Sequence, residues 1–214
     1  MEPFPTAAQV WTPPQTRWHV YVLPRPQDER LAELLRVCEM VALDVAGGAL
    51  VPTGRFAHAT VQQISRPAAE VTREQIDAFA EDLERRFASV APFTVTAGPA
   101  MATTGAVLLD MDQDLPGEPW LLLDAVVKDA IRGRFGEQAL KYETPPPHMT
   151  VAYCAASTDS GRLQSALRRR VRPGTAPMTV DALWLLDVRQ NVEARTYTWP
   201  LETARRIPLG RAAS

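Results

Sequence analysis

Two matching tripeptides constrain the fold of this chain more than any other feature of its sequence. They are His58-Ala59-Thr60 and His148-Met149-Thr150, and each lies in a short apolar run typical of a β-strand, AHATV and HMTVAY. Side chains alternate between the two faces of a strand, so residues two apart point the same way and lie about 6.5–7 Å apart. Each tripeptide is therefore expected to present an imidazole and a hydroxyl side by side on one face of a sheet.

The segments around the two tripeptides follow the same order of elements, although their sequences do not repeat. Each half reads as a strand, a helix, a loop, the His-x-Thr strand, a second helix and a further strand. A capping box, in which Gln75 follows Thr72 by three residues, marks the start of one helix. This duplication predicts an α+β protein with two pseudo-symmetric lobes. The other predicted elements are strands 17–23, 57–64, 93–98, 106–112, 148–154, 177–187 and 194–200, and helices 27–43, 120–136 and 159–171.

The composition is that of an ordinary globular protein of moderate size. The 214 residues are 46% hydrophobic and 22% charged, enough for one large domain or two lobes that share a core. A net charge of −2 implies no general attraction for long nucleic acids, so any phosphate recognition must be local. The two cysteines, Cys38 and Cys154, lie far apart and are interpreted as core residues of a protein from a reducing compartment.

The ends of the chain are expected to lie outside the folded domain. Residues 1–16 contain four prolines and are predicted to form a flexible arm, and 206–214 a flexible tail. A single bilobal domain is expected over 17–205. Neither a signal peptide nor an apolar run long enough to span a membrane is found in the sequence, so we expect a cytoplasmic protein. We also expect it to be a monomer.

The two tripeptides together hold the groups needed to cleave a phosphodiester. The reaction removes a proton from the attacking oxygen and gives one to the leaving oxygen, and histidine suits both roles because its ordinary pKa is near 6.5. His58 and His148 are the candidate acid and base. Thr60 and Thr150 can donate hydrogen bonds to the non-bridging oxygens, where negative charge must be held.

No cofactor or metal is expected at these motifs. The chain has three histidines and no cluster of Cys and His with the spacing of a zinc site. Asp110, Asp112 and Asp114 alternate, but they are interpreted as a solvated strand end and turn.

Five further residues are candidates for substrate binding. Counting by two from Thr60 places Gln62 on the same face, where its amide can reach a phosphate or a base. His19 and Tyr21 share one face of the first strand and can stack on a base, although a packing role is equally compatible with the pattern. Arg55 and Lys141 lie in the approaches to the two motif strands and can contact phosphate.

Two other features are interpreted as structural. The run Arg168-Arg169-Arg170 ends a predicted helix, where cations favour the helix dipole, and is assigned to a solvated helix end. Tyr153 alternates away from the face of His148 and is assigned to the core.

The chain resembles the 2H phosphoesterase superfamily, and most of all its branch of 2′-5′ RNA ligases and 2′,3′-cyclic phosphodiesterases. That family carries two His-x-Thr/Ser motifs, each followed by an apolar strand residue, which here are Val61 and Val151. The resemblance spans roughly 17–200. It implies two antiparallel sheets that form a V-shaped groove, with helices outside and both motifs within. It also implies a metal-independent phosphodiesterase acting on 2′,3′-cyclic phosphate or 2′-5′ phosphodiester ends of RNA or nucleotides.

Two alternatives stay open at this point. One is a non-catalytic module that binds RNA or nucleotides in the same groove. Intact His and Thr in both motifs argue against it, because binding alone would tolerate Asn or Gln. The other is a phosphodiesterase for a small substrate, such as a cyclic nucleotide or an ADP-ribose-type phosphodiester, which the mildly acidic charge fits equally well.

Overall fold

The computed structural model describes residues 1–6, 9–11, 16–111, 117–143 and 146–210. Within them, antiparallel strands and helices alternate along the chain, which confirms the predicted α+β class. The strands are β1 (Thr16–Val22), β2 (Leu50–Pro52), β3 (Ala59–Pro67), β4 (Phe93–Ala102), β5 (Ala106–Met111), β6 (His148–Cys154), β7 (Ala176–Val180), β8 (Ala182–Asn191), β9 (Thr196–Thr198) and β10 (Arg205–Pro208). The helices are α1 (Glu29–Ala46), α2 (Arg73–Phe87), α3 (Pro119–Phe135) and α4 (Ser160–Arg170).

The strands form two antiparallel halves that meet at the His-x-Thr motifs. Their order is β10-β8-β1-β3 in one half and β6-β5-β4-β7 in the other, while β9 pairs with β8 and β2 with β6. The two sheets are continuous at one point, where Ala59 of β3 pairs with Met149 of β6. These two residues are the middle positions of the motifs, so the junction brings the two tripeptides together.

The two halves of the sheet are pseudo-symmetric, but each includes a strand from the other half of the sequence. The triplet β8-β1-β3 corresponds to β4-β5-β6, so the strand after α2 joins the second half and β8 returns to the first. The single strand predicted over 177–187 is wrong for this reason. It is two strands in different halves, divided at Asp181, whose carboxylate contacts the guanidinium groups of Arg25 and Arg206.

The helices bury one face each, as the spacing of their apolar residues predicts. α1 packs against α4, and α2 against α3. The capping box at the start of α2 is present, because the Thr72 side chain accepts a hydrogen bond from the backbone of Gln75. α3 ends at Gly136, whose φ of 84° lies in the left-handed region that favours glycine. None of the helices in the described ranges is long and apolar enough to cross a membrane.

Both ends of the chain extend further into the fold than predicted. The tail expected from residue 206 is wrong, since β10 pairs with β8 and Ile207 is fully buried. Near the start of the chain, the backbone N–H groups of Glu2 and Phe4 donate to the carbonyl oxygens of Thr104 and Cys154. Apolar side chains near both ends pack against the sheets. The proline content of the sequence does not indicate this packing. Residues 7–8, 12–15 and 211–214 lie outside the described ranges.

The structural assignments of the two cysteines and of the arginine run hold, whereas that of Tyr153 needs the correction described below. Cys38 on α1 and Cys154 on β6 are buried and unpaired, as expected of core residues. Arg168, Arg169 and Arg170 are exposed at the end of α4.

Candidate active site

A shift of register in β3 determines which of its side chains face the first motif. Tyr21 of β1 pairs with Thr60, but the preceding residue, Val20, pairs with Gln62. Val61 is therefore the extra residue of a β-bulge, at which two residues oppose one on the neighbouring strand. Beyond such a bulge, the alternation of side chains between the two faces is reversed.

The same irregularity occurs at the equivalent place in β6. Leu108 of β5 pairs with Thr150, whereas Val107 pairs with Ala152. Val151 is the extra residue here. Each His-x-Thr motif is thus followed directly by a valine in a bulge, and the two halves are symmetric at this level of detail.

The bulges overturn two predictions that were made by counting in twos. Gln62 does not face the motifs: it is fully buried, and its amide donates to Asp124 Oδ1 and to the carbonyl oxygen of Tyr142, each at 2.9 Å. Tyr153, assigned to the core on the face opposite His148, is buried as expected, but it lies on the side of the pocket described next. In both strands the face was predicted correctly up to the threonine and wrongly after the bulge.

A pocket of about 300 Å³ contains both motifs. From one half, it is lined by Thr60 of β3 and by His58, the residue just before β3. From the other half, it is lined by His148 and Thr150 of β6. Polar groups from both halves therefore converge on one space of a size suited to a small ligand. The rest of its lining is Phe4, His19, Tyr21, Thr103, Gly105, Ala106, Leu108, Tyr142, Tyr153 and Tyr197.

The two histidines are held in the same way. Nδ1 of His58 lies 2.7 Å from the carbonyl oxygen of Phe56, and Nδ1 of His148 lies 2.8 Å from that of Pro146. A carbonyl oxygen can only accept, so Nδ1 carries the hydrogen in each ring. In the neutral imidazole, Nε2 is then an acceptor that is available to a ligand.

The environments of the two imidazoles differ. His58 is 5% exposed, stacked on Tyr21 with ring centroids 4.1 Å apart, and in edge contact with Trp199 at 5.2 Å. Burial lowers its pKa to about 4, the hydrogen bond to Phe56 opposes that shift, and the nearby His148 adds to it. His58 is therefore neutral at neutral pH. His148 is half-buried.

Each threonine of the motifs lies close to a tyrosine phenol. Thr60 is near Tyr21 on the neighbouring strand and Thr150 is near Tyr153 on its own strand, and each threonine acts to lower the pKa of its phenol. Burial raises the pKa of both phenols well above the ordinary value, so both keep their hydrogen.

The other predicted binding residues are divided between the pocket and the surface. His19 and Tyr21 line the pocket, and their rings meet edge-on at 4.9 Å. Arg55 and Lys141 are exposed and outside the lining. The Arg55 guanidinium lies over the ring of Phe56 at 4.7 Å, and both residues belong to the short 3₁₀ turn Gly54–Phe56.

His19 has an unusual environment within the pocket wall. It is 3% exposed, and neither ring nitrogen has a hydrogen-bond partner among the described residues. Burial lowers its pKa well below the ordinary value, and the charges of His58 and Arg17 act in the same direction. The ring is therefore neutral.

Several aromatic residues of the site were missed by the sequence reasoning. Tyr142, Tyr197 and Phe4 line the pocket, and Trp199 contacts His58. Tyr153 had a signal, since it lies in a motif strand, but the bulge hid its orientation. The others come from a loop, from β9 and its end, and from the N-terminal segment, where no local pattern connects them to the motifs.

No candidate metal site is found in the described ranges: nowhere in them do three or more His, Cys, Asp or Glu side chains come together in a suitable group. Asp110 pairs with His148 in the β5–β6 register. Asp112 and Asp114 lie outside the described residues.

Comparison with known families agrees with this architecture. Residues 24–191 match the profile of the 2′-5′ RNA ligase superfamily, which is most of the chain. The chain belongs to this superfamily, and the resemblance to the 2H phosphoesterases is confirmed. A search of curated proteins finds no significant match.

Solved structures show the same fold at low sequence identity. TT0787 of Thermus thermophilus superposes with a TM-score of 0.65 at 16% identity, covering 92% of this chain and all of its own. LigT of E. coli complexed with NADP+ gives a TM-score of 0.59 at 15% identity, covering 99% and 100%. LigT complexed with 3′-AMP gives 0.58 at 16% identity, covering 90% and 98%.

Proposed function

We propose that this chain is a metal-independent phosphodiesterase acting on 2′,3′-cyclic phosphate or 2′-5′ phosphodiester ends of RNA or nucleotides. One observation carries the proposal. A histidine fixed through Nδ1, with a threonine two residues further on, occurs twice around one pocket. Membership of the 2′-5′ RNA ligase superfamily supports it, as do the nucleotide complexes of the E. coli LigT neighbour.

The difference in burial supports different roles for the two histidines. His58 is neutral at neutral pH, and its Nε2 can take the proton of an attacking water. His148, which is half-buried, acts as the general acid, a role that requires a hydrogen on Nε2 in addition to the one that Nδ1 directs at Pro146. When water attacks the phosphorus of a 2′,3′-cyclic phosphate, one P–O bond forms and one ribose P–O bond breaks. The proton taken by His58 is balanced by the proton that His148 gives to the leaving ribose oxygen.

The threonines hold the charge that develops on phosphorus. Thr60 and Thr150 line the same pocket as the two histidines, and the hydroxyl of each can donate to one non-bridging oxygen. Because strands hold these groups in place, little reorganisation is required when the substrate arrives. The pocket of about 300 Å³ suits one nucleotide, which fits recognition of an end rather than of a long strand.

The test is turnover of a panel of 2′,3′-cyclic nucleotides and 2′-5′-linked dinucleotides in the presence of EDTA. We expect hydrolysis of at least one class, and its loss in His58→Ala and in His148→Ala, with the melting temperature of each variant checked. Glu81→Gln, exposed on the outer helix α2, is the matched control and should keep full activity. Binding of these nucleotides without turnover would instead support the non-catalytic module.

A further inference from the structure

An aromatic ring from outside the family match forms part of the wall of the catalytic pocket. Phe4 precedes residues 24–191, yet it lines the pocket together with both motifs. Its ring stacks on Tyr153, with centroids 4.7 Å apart and planes at 18°, and meets Tyr197 at 5.7 Å. Phe4 is half-buried, so part of its surface is available to a ligand.

The backbone on either side of this ring is tied to both halves of the protein. The N–H of Phe4 donates to the carbonyl oxygen of Cys154 at 2.7 Å, and Glu2 does the same to Thr104 at 2.6 Å. On the other side, the Arg195 guanidinium donates to the carbonyl oxygen of Pro5 at 3.3 Å. These contacts fix the position of the ring, as a binding residue requires.

We propose that Phe4 is a specificity-determining residue, whose ring is the stacking face for the nucleobase of the substrate. This inference rests on the proposed phosphodiesterase function and adds to it that base-bearing substrates are preferred over base-free ones. Every nucleobase has a flat π-face, so stacking on an aromatic side chain selects for a base without selecting among bases. Tyr153 and Tyr197 extend the same aromatic wall.

A purely structural role for Phe4 would act through its neighbour. The ring packs on Tyr153, whose phenol lies near the Thr150 side chain, so losing Phe4 could displace a phosphate-binding group. The two roles differ in their dependence on substrate. Support of Thr150 matters for every phosphodiester, whereas a stacking face matters only for those that carry a base.

The experiment compares 2′,3′-cyclic AMP with ribose 2′,3′-cyclic phosphate, which has the reacting group but no base. Phe4→Leu keeps an apolar side chain against Tyr153 and removes the aromatic face, and Phe4→Trp is the matched variant that keeps such a face. We expect Phe4→Leu to lower kcat/KM for 2′,3′-cyclic AMP about 5- to 150-fold, mainly through KM. The value for ribose 2′,3′-cyclic phosphate should stay unchanged, and Phe4→Trp should retain the preference for the base.

An equal loss for both substrates in Phe4→Leu, or no loss for either, would overturn the proposal. If the proposed phosphodiesterase function itself is wrong, the wild-type protein will turn over neither substrate, an outcome that differs from a failure of the stacking proposal alone. In that case, calorimetric binding of 3′-AMP and of ribose 5-phosphate decides the question. Phe4→Leu should weaken 3′-AMP by a factor in the same range and leave ribose phosphate unaffected, and equal weakening of both would count against stacking.

Discussion

The buried, neutral His58 should make the protein less stable in mild acid by a predictable amount. Its pKa is lowered from an ordinary value of 6.5 to about 4, and burial is the main cause. Between these two values the unfolded chain holds a proton on this ring that the folded protein lacks. The unfolded state therefore binds more protons, and stability is lost as the pH falls.

The magnitude follows from the width of this window. Each pH unit within it costs about 1.4 kcal/mol of folding free energy. Going from pH 7 to pH 5 crosses roughly 1.5 units of the window. The buried His58 should therefore lower the free energy of unfolding by about 2 kcal/mol over this change of pH. The buried His19 also makes the folded protein less stable in this range. It is present in both proteins compared below, so the difference between them reports His58 and its charge interaction with His19.

The assay is urea unfolding of the wild-type protein and of His58→Gln at pH 7 and pH 5, followed by tryptophan fluorescence. Glutamine keeps a polar side chain of comparable length and cannot acquire a charge. The wild-type protein should lose about 2 kcal/mol more than His58→Gln between the two pH values. Equal losses would show that His58 is not held neutral by the fold, and its assignment as the general base would then fail.

Three further predictions concern the groups around the histidines. Thr60→Val and Thr150→Val keep the shape of the side chain but remove a donor aimed at developing charge, so each should lower kcat by about 10²–10³ with little change in melting temperature; full activity in both would mean that the hydroxyls do not touch the substrate. Tyr153→Phe removes the phenol hydroxyl that lies near Thr150 and should lower kcat, by less than Thr150→Val does, whatever base the substrate carries; an unchanged kcat would show that the phenol does not position the threonine. His19→Phe removes two buried nitrogens without partners and should raise the free energy of unfolding at pH 7 by about 1 kcal/mol; a loss of stability would mean that those nitrogens are bonded in solution.

Regular periodicity made much of this fold predictable from the sequence. The helix with its cap at Thr72 and the strands that carry His58 and His148 all lie where their apolar spacing indicates. The motif side chains were assigned correctly to one face because the alternation holds from each histidine to its threonine. The repeated order of elements around the two motifs predicted that they face each other, and both line the same pocket.

What the sequence could not predict arises from long-range contacts. A bulge reverses the faces of a strand by adding one residue, and Val61 and Val151 are ordinary strand formers that do not mark one. This is why Gln62 and Tyr153 were assigned to the wrong sides. The exchange of β4 and β8 between halves, and the docking of Phe4 on Tyr153, are set by tertiary pairing that leaves no local pattern.

The most direct test of the account is a double-mutant cycle on the two histidines, because its central claim is that both motifs act on one phosphate. kcat would be measured in EDTA for His58→Ala, His148→Ala and the double variant, with a 2′,3′-cyclic nucleotide that the wild-type protein hydrolyses. Residues that act as one catalytic unit give strongly non-additive losses, so each single variant should fall nearly as far as the double variant. Independent losses that multiply in the double variant, or near-wild-type turnover in either single variant, would contradict the account.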